Sequence, residues 1–250
     1  MVAAAIDERP QADEAFAGNA LLAALPTEAR DLIEPHGTMV RLETGDTVLS
    51  RGANVEATLF PLGETMVSMA VELSGDRMIE ALMIGRRGAV GGIISCGKAP
   101  TFTKIIVLVG GPAYRVPMKI LDEAKQRSPF VAHLFCRFSD YLLSQVMQSV
   151  ACNAFHSIPE RAARWLLHAQ DRTGDRIELT QQGLAGLLGV QRTTVNAVLQ
   201  ALEHDGLIST GRGVIWVTDR VGLMHRSCEC YQRLEDHFDA VIGERGAGAP

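Results

Sequence analysis

The sequence predicts an α+β chain in three parts: an N-terminal β-roll or jelly roll, a long dimerisation helix, and a C-terminal winged helix-turn-helix. Three observations predict it. Between residues 39 and 117 short β-rich runs alternate with glycine turns. From Phe130 to about Phe155 there is neither glycine nor proline, as a long helix requires. Residues 179–208 read LTQQGLAGLLGVQRTTVNAVLQALEHDGLI, two helical patterns joined at a single glycine.

Residues 1–18 are rich in alanine and charge and lack a periodic apolar face, so a flexible tail is expected there. Order is expected from Asn19, which is placed to cap a short helix ended by Pro26. The β-rich runs fall at residues 39–42, 47–49, 65–73, 77–83 and 104–109, separated by Gly45-Asp46, Ser74-Gly75-Asp76, Gly85, Gly91-Gly92 and Gly110-Gly111. Short strands with glycine turns suit a compact barrel or jelly roll over residues 19–128. Pro129 then opens the long helix. Its apolar residues, among them Val131, Leu134, Phe135, Phe138, Leu142, Val146 and Val150, are too many for one covered face. One side is expected on the β-domain and the other against a second copy of the chain, which makes residues 129–156 a dimerisation helix and hinge. Burial of both sides within one subunit is the alternative. Ser157-Ile158-Pro159-Glu160 forms a capping box with proline in the first turn, so a new helix carrying Ala162, Trp165 and Leu166 starts a C-terminal domain over residues 157–250.

In that domain Thr180 can cap a first helix whose Leu184, Leu187 and Leu188 share a face, with small Ala185 at a close crossing. Gly189 ends it in a left-handed turn. A second helix runs from Arg192 to about His204 and packs through Val195, Val198, Leu199 and Leu202. A strand at 207–210, a tight turn Gly211-Arg212-Gly213 and a return strand at 214–217 complete a wing. Two amphipathic core helices would explain the periodicity, but not the hairpin with a basic tip that follows. Double-stranded DNA is the partner this unit fits, with the second helix in the major groove. Arg192 can fork two hydrogen bonds to guanine O6 and N7. Gln191 and Asn196 suit bases or phosphates, Thr193 and Thr194 suit phosphate oxygens, and Gln181 completes the DNA-facing set. Arg212 reaches toward the flanking backbone; an ordinary solvated charge is its alternative.

Composition narrows the class. The 24 basic side chains stand against 29 acidic ones, a net charge of −5, so no polybasic field holds nucleic acid nonspecifically. Residues 176–220 carry four arginines and four carboxylates, which argues against an architectural, histone-like role and for site-specific contacts. The N-terminus lacks a secretory pattern and no apolar run reaches membrane-spanning length, so a cytoplasmic protein without a membrane partner is expected. An enzyme is not expected. The segment from Gly92 through Gly97-Lys98-Ala99 resembles a P-loop but has Ala99 in place of the magnesium-binding hydroxyl, followed by Pro100.

Taken in order, the β-roll, long helix and winged helix resemble a Crp/Fnr-type transcription regulator. The likeness is carried by the helix-turn-helix at residues 180–202, Phe60-Pro61, GRRGAVGG at residues 85–92 and CNAFHSIPERAARWLL at residues 152–167. It implies a cyclic-nucleotide-binding-like sensor domain, a homodimer on a palindromic operator, and RNA polymerase as a further partner. In the reading helix Arg192 and Thr194 stand at DNA-contacting positions, while Thr193 replaces a frequent glutamate. The implied effector pocket comprises Gly91, Gly92, Ile93, Thr103, Lys104, Val146 and Met147. There the chain departs from the nucleotide-binding pattern: Gly91-Gly92-Ile93 replaces the Gly-Glu-Leu that holds the ribose, and Thr103-Lys104 replaces the arginine pair that holds the phosphate. Lysine is a point charge and does not reproduce a bidentate fork. No cofactor and no tight cAMP binding are expected. The alternative function is a signalling module with a nucleotide-like or redox effector and no role on DNA.

The five cysteines form no N-terminal iron–sulfur cluster. Cys96 in the glycine-rich loop is a candidate redox sensor by position alone. His225, Cys228, Cys230 and His237 invite a zinc site, but cysteines two apart on a helix point to nearly opposite sides, so packing is expected there and no metal.

Overall fold

The computed structural model describes residues 11–74, 77–93 and 100–243. Three short helices, α1 (Gln11–Gly18), α2 (Ala20–Ala23) and α3 (Thr27–Arg30), precede seven strands: β1 (Thr38–Leu42), β2 (Thr47–Leu49), β3 (Ala57–Pro61), β4 (Met66–Leu73), β5 (Arg77–Ile84), β6 (Lys104–Val109) and β7 (Gly111–Pro117). They pair antiparallel in two sheets, ordered β1-β7-β3 and β2-β6-β4-β5. Alternation along β6 turns Ile105, Val107 and Val109 inward, the period-2 pattern of a strand with one buried face.

Helix α1 occupies part of the stretch expected as a tail. Its Ala15 and Phe16 are buried, with the Phe16 ring edge-on to Tyr114 at 5.7 Å and the Arg30 guanidinium 4.5 Å from its centroid. Eight residues with two adjacent apolar anchors carry no readable period; a surface supplied by β7 orders them. Asn19 caps α2 as expected, accepting from the Leu21 and Leu22 amides. Its Nδ2 also donates to the carbonyls of Pro61 (3.0 Å) and Gly88 (2.8 Å), which ties the N-terminal helices to the roll. Strands β3 and β7 escape the sequence pattern because Pro61, Pro112 and Pro117 interrupt their β character. Tyr114, paired with Met39 on one side and Phe60 on the other, makes β7 the centre of its sheet.

Helix α4 (Met118–Arg127), not anticipated, returns along the roll through Met118, Leu121 and Ala124. Helix α5 (Pro129–Phe155) is capped by Ser128, whose side chain accepts from the Val131 amide. Its 27 residues span about 40 Å. Val131, Leu134, Phe135, Phe138, Tyr141, Leu142 and Gln145 are buried, whereas Leu143, Val146, Met147 and Val150 are exposed along another face. The helix therefore has a covered side and an uncovered apolar stripe.

After the hinge, α6 (Ile158–Thr173) starts in the expected capping box of Ser157 and Glu160. Then follow β8 (Arg176–Ile177), α7 (Gln181–Leu188), α8 (Arg192–His204), β9 (Ile208–Gly211), β10 (Val214–Val217), α9 (Arg220–Arg226) and α10 (Cys230–Val241). Strand β8, too short to show a pattern, adds a third strand to the wing in the order β8-β10-β9. The core of this domain also takes in Met66, Met83 and Val109 from the roll. Trp165 Nε1 donates to Glu80 Oε1 at 2.8 Å, and Arg86 Nη2 donates to the Asp171 carbonyl at 3.1 Å. The winged domain is thus docked on the β4–β5 ribbon.

Candidate nucleic-acid interface

The interface is built from the turn outward. Thr180 accepts from the Gly183 amide and so satisfies one of the free donors at the start of α7. Gly189 closes α7 with φ 68 and ψ 34, a left-handed conformation that glycine adopts without Cβ strain. At the same end Arg161 Nη2, largely buried, donates to the Leu188 carbonyl at 2.8 Å, placing positive charge at the negative helix terminus. Burial holds the Arg161 guanidinium below its usual pKa. This anchor lies 27 positions away in sequence, and no local pattern signals it.

Val195, Val198, Leu199 and Leu202 bury one face of α8, as its spacing predicts. Gln191, Arg192, Thr193 and Thr194 are exposed and Asn196 is half-buried on the other. Gln191 occupies the N-cap without a side-chain hydrogen bond, so the first amides of α8 remain open to an anion such as a phosphate. Gln181, Arg192 and Arg212 line one cleft between α7, α8 and the wing. Thr193, Thr194, Gln191 and Asn196 are not in its walls; they sit around the first turns of the same helix. Glu203, unremarked in the sequence, joins wing to helix by accepting from the Thr210 amide at 2.7 Å and from its hydroxyl.

The expected effector residues are placed apart. A cavity inside the roll is lined by Val48, Leu49, Glu56, Leu59, Gly91 and Arg115, among others, and by none of Gly92, Ile93, Thr103, Lys104, Val146 and Met147. Gly91 and Gly92 have positive φ, and a Cβ would lie 2.5 Å from the Ala57 carbonyl oxygen or 2.0 Å from Met118 Sδ respectively. Ile93 is buried, and Thr103 is half-buried beside Lys104, whose ammonium pairs with Glu72 at 3.4 Å. Val146 and Met147 belong to the exposed stripe of α5. Cys96 and most of the P-loop-like segment lie outside the described residues.

The remaining cysteines correct one expectation. Cys228 precedes α10, whose first residue is Cys230, so the two are not successive helical positions and both face Cys152. His225 is exposed and His237 approaches Asp140 at 3.2 Å; neither joins them. The histidine that does is His156, at the end of α5. Separation in sequence hid this grouping.

A buried helix-turn-helix scaffold with an exposed second helix and a basic wing, carried on a β-roll and a long helix, defines the class of winged-helix proteins with an N-terminal β-roll. Residues 160–226 match the family model of the Crp-like helix-turn-helix domain. The HTH-type transcriptional regulator Cmr of Mycobacterium tuberculosis is 41% identical over 70 residues, a stretch that makes up 28% of this chain and 28% of that regulator. FixK2 from Bradyrhizobium japonicum superposes with a TM-score of 0.67 at 16% identity, over 77% of this chain and 98% of its own. A Crp/Fnr-family regulator from Eubacterium rectale gives 0.64 at 18% identity, over 85% of this chain and 97% of its own. The chain carries a Crp-like helix-turn-helix domain on the fold of the Crp/Fnr regulators.

Proposed function

We propose that this chain is a sequence-specific DNA-binding transcription regulator that acts in the cytoplasm as a homodimer. The observation that carries the reading is the exposed first turn of α8, where Arg192 and the wing residue Arg212 line one cleft while the opposite helix face is buried. Arg192 supplies base readout; Gln181, Gln191, Thr193, Thr194, Asn196 and Arg212 supply register and further contacts. The uncovered stripe Leu143, Val146, Met147 and Val150 fits a parallel pairing of two α5 helices. Such a pair presents two reading helices to half-sites about one helical turn, ~34 Å, apart, on a palindrome. RNA polymerase is the onward partner.

Control operates through the docked seam. Release of the winged domain from the β4–β5 ribbon changes the spacing of the reading helices, and a signal that favours one arrangement shifts the population. The deciding experiment is a binding titration on palindromic and random duplexes at several salt concentrations. Preference for one palindrome, reduced by about 1–3 kcal/mol in Arg192→Ala without a matching loss on random DNA, is expected. Equal binding to every duplex would sink the reading.

A further inference from the structure

Four side chains of metal-ligating chemistry meet at the hinge. Cys152 and His156 are four residues apart at the end of α5; Cys228 and Cys230 come from the junction of α9 and α10. Cys152 Sγ lies 3.6 Å from Cys228 Sγ, Cys230 Sγ lies 3.4 Å from His156 Nδ1, and all four ligand atoms fall within 4.8 Å of one another. A tetrahedral zinc ion with bonds of about 2.3 Å to sulfur and about 2.0 Å to nitrogen requires S···S edges of ~3.8 Å and S···N edges of ~3.5 Å. Closure of the remaining edges asks for movements under about an ångström.

The surroundings are those of a metal site and not of three thiols that merely pack. His156 Nε2 lies 3.3 Å from Glu229 Oε2, a carboxylate partner that orients the ring with Nδ1 toward the sulfurs. Burial pushes the Cys230 thiol above its ordinary pKa, opposed by Gln148, whose Nε2 donates to Cys230 Sγ at 2.9 Å. Arg161 and Arg164 act electrostatically on Cys152, and the Nε atoms of both are buried without a hydrogen-bond partner. Three thiolates around a divalent cation leave one net negative charge, which these guanidiniums offset. All three cysteines are buried, so the set is closed, with no position left for a reacting water.

We propose that Cys152, His156, Cys228 and Cys230 bind one Zn²⁺ ion per chain. Binding displaces the thiol protons to solvent and clamps the end of α5 to the segment that leads into α10. Helix α10 in turn packs on α5 through Phe238 against Tyr141, ring centroids 5.0 Å apart, so the ion braces the hinge between the long helix and the winged domain. All four ligands lie outside residues 160–226, and the site is separate from the DNA-reading surface.

The test uses the full chain, purified under reducing conditions, stripped with a chelator and titrated with Co²⁺. One equivalent should develop a thiolate-to-cobalt charge-transfer band and the intense visible bands of a tetrahedral ion, and Zn²⁺ should bleach both. Cys228→Ser and Cys230→Ser should abolish the signal. Glu229→Gln should retain it with affinity lowered roughly 10–100-fold. Cys136→Ser, at the exposed cysteine of α5, should leave it unchanged. Circular dichroism of each variant reports folding, and the wild-type titration stands without any variant. The proposal is overturned by a weak octahedral spectrum, by an undiminished signal in folded Cys228→Ser, by iron and sulfide in place of zinc in the isolated chain, or by a metal-free protein with a Cys152–Cys228 disulfide.

Discussion

Gly189 offers a sharp test of how the reading helix is set, because a second glycine three residues earlier on α7 provides an internal control. At Gly189 the backbone is left-handed, with φ 68 and ψ 34, and an alanine there loses about 1–2 kcal/mol to the clash between Cβ and the backbone. The new methyl would meet Ile79 Cδ1 at 3.2 Å, the end of a flexible side chain that can yield, so the backbone term dominates. At Gly186 an added Cβ meets nothing within 4 Å. Alanine in place of a helical glycine contributes about 0.8–1 kcal/mol in a helix interior. The two glycine-to-alanine changes should therefore have opposite signs and differ by roughly 2–3 kcal/mol. Both tryptophans, Trp165 on α6 and Trp216 on β10, lie in the winged domain, so their fluorescence follows its unfolding in urea. With a slope of about 3 kcal/mol per molar urea, Gly189→Ala should lower the midpoint by roughly 0.3–0.7 M, and Gly186→Ala should raise it. Operator affinity should fall in Gly189→Ala, since this turn sets the angle between α7 and α8. A midpoint for Gly189→Ala at or above that of the wild type, with unchanged slope, would refute the assignment of the turn to backbone strain.

Three further outcomes follow from the geometry. Arg212→Ala should weaken binding nearly uniformly across duplex sequences and reduce the slope of log affinity against log salt by about 1, as loss of one phosphate contact does; a change in sequence preference would instead make Arg212 a base reader. Leu143→Glu, on the exposed stripe of α5, should shift the chain to monomer in analytical ultracentrifugation, and a persistent dimer would place the interface elsewhere. Burial pushes the Glu80 carboxyl above its ordinary value of 4.5, opposed by the Trp165 indole, Arg164 and Arg172. The folded state therefore favours its neutral form, whose stabilisation is complete below the unfolded pKa and is lost as pH rises through the raised value. Glu80→Gln should gain on the wild type in urea midpoint as pH goes from about 5 to about 7.5; an equal difference at both ends would rule this linkage out.

The candidate interface was largely legible because its determinants are local. Thr180 bonds an amide three residues on, Gly189 needs only its own φ, and the buried positions of α8 repeat with the helical period. The elements missed were those whose reason lies elsewhere in the chain. Helix α1 is ordered by Tyr114 and Arg30, and the central strand β7 is held by partners on both sides despite its two prolines. The expected effector residues, aligned by spacing alone, are distributed over the roll, a salt bridge and the exposed stripe of α5.

By itself, the sequence determined the order of roll, long helix and winged helix, the caps and turns that bound the reading helix, and the residues that face outward from it. These depend on backbone conformation and on partners within a turn or two. Only the tertiary structure decided that the winged domain rests on the β4–β5 ribbon through Trp165 and Glu80, 85 positions apart, and that Cys152 meets Cys228 across 76. Burial and charge at such contacts depend on how separate elements pack in space, and no periodicity within one segment encodes that.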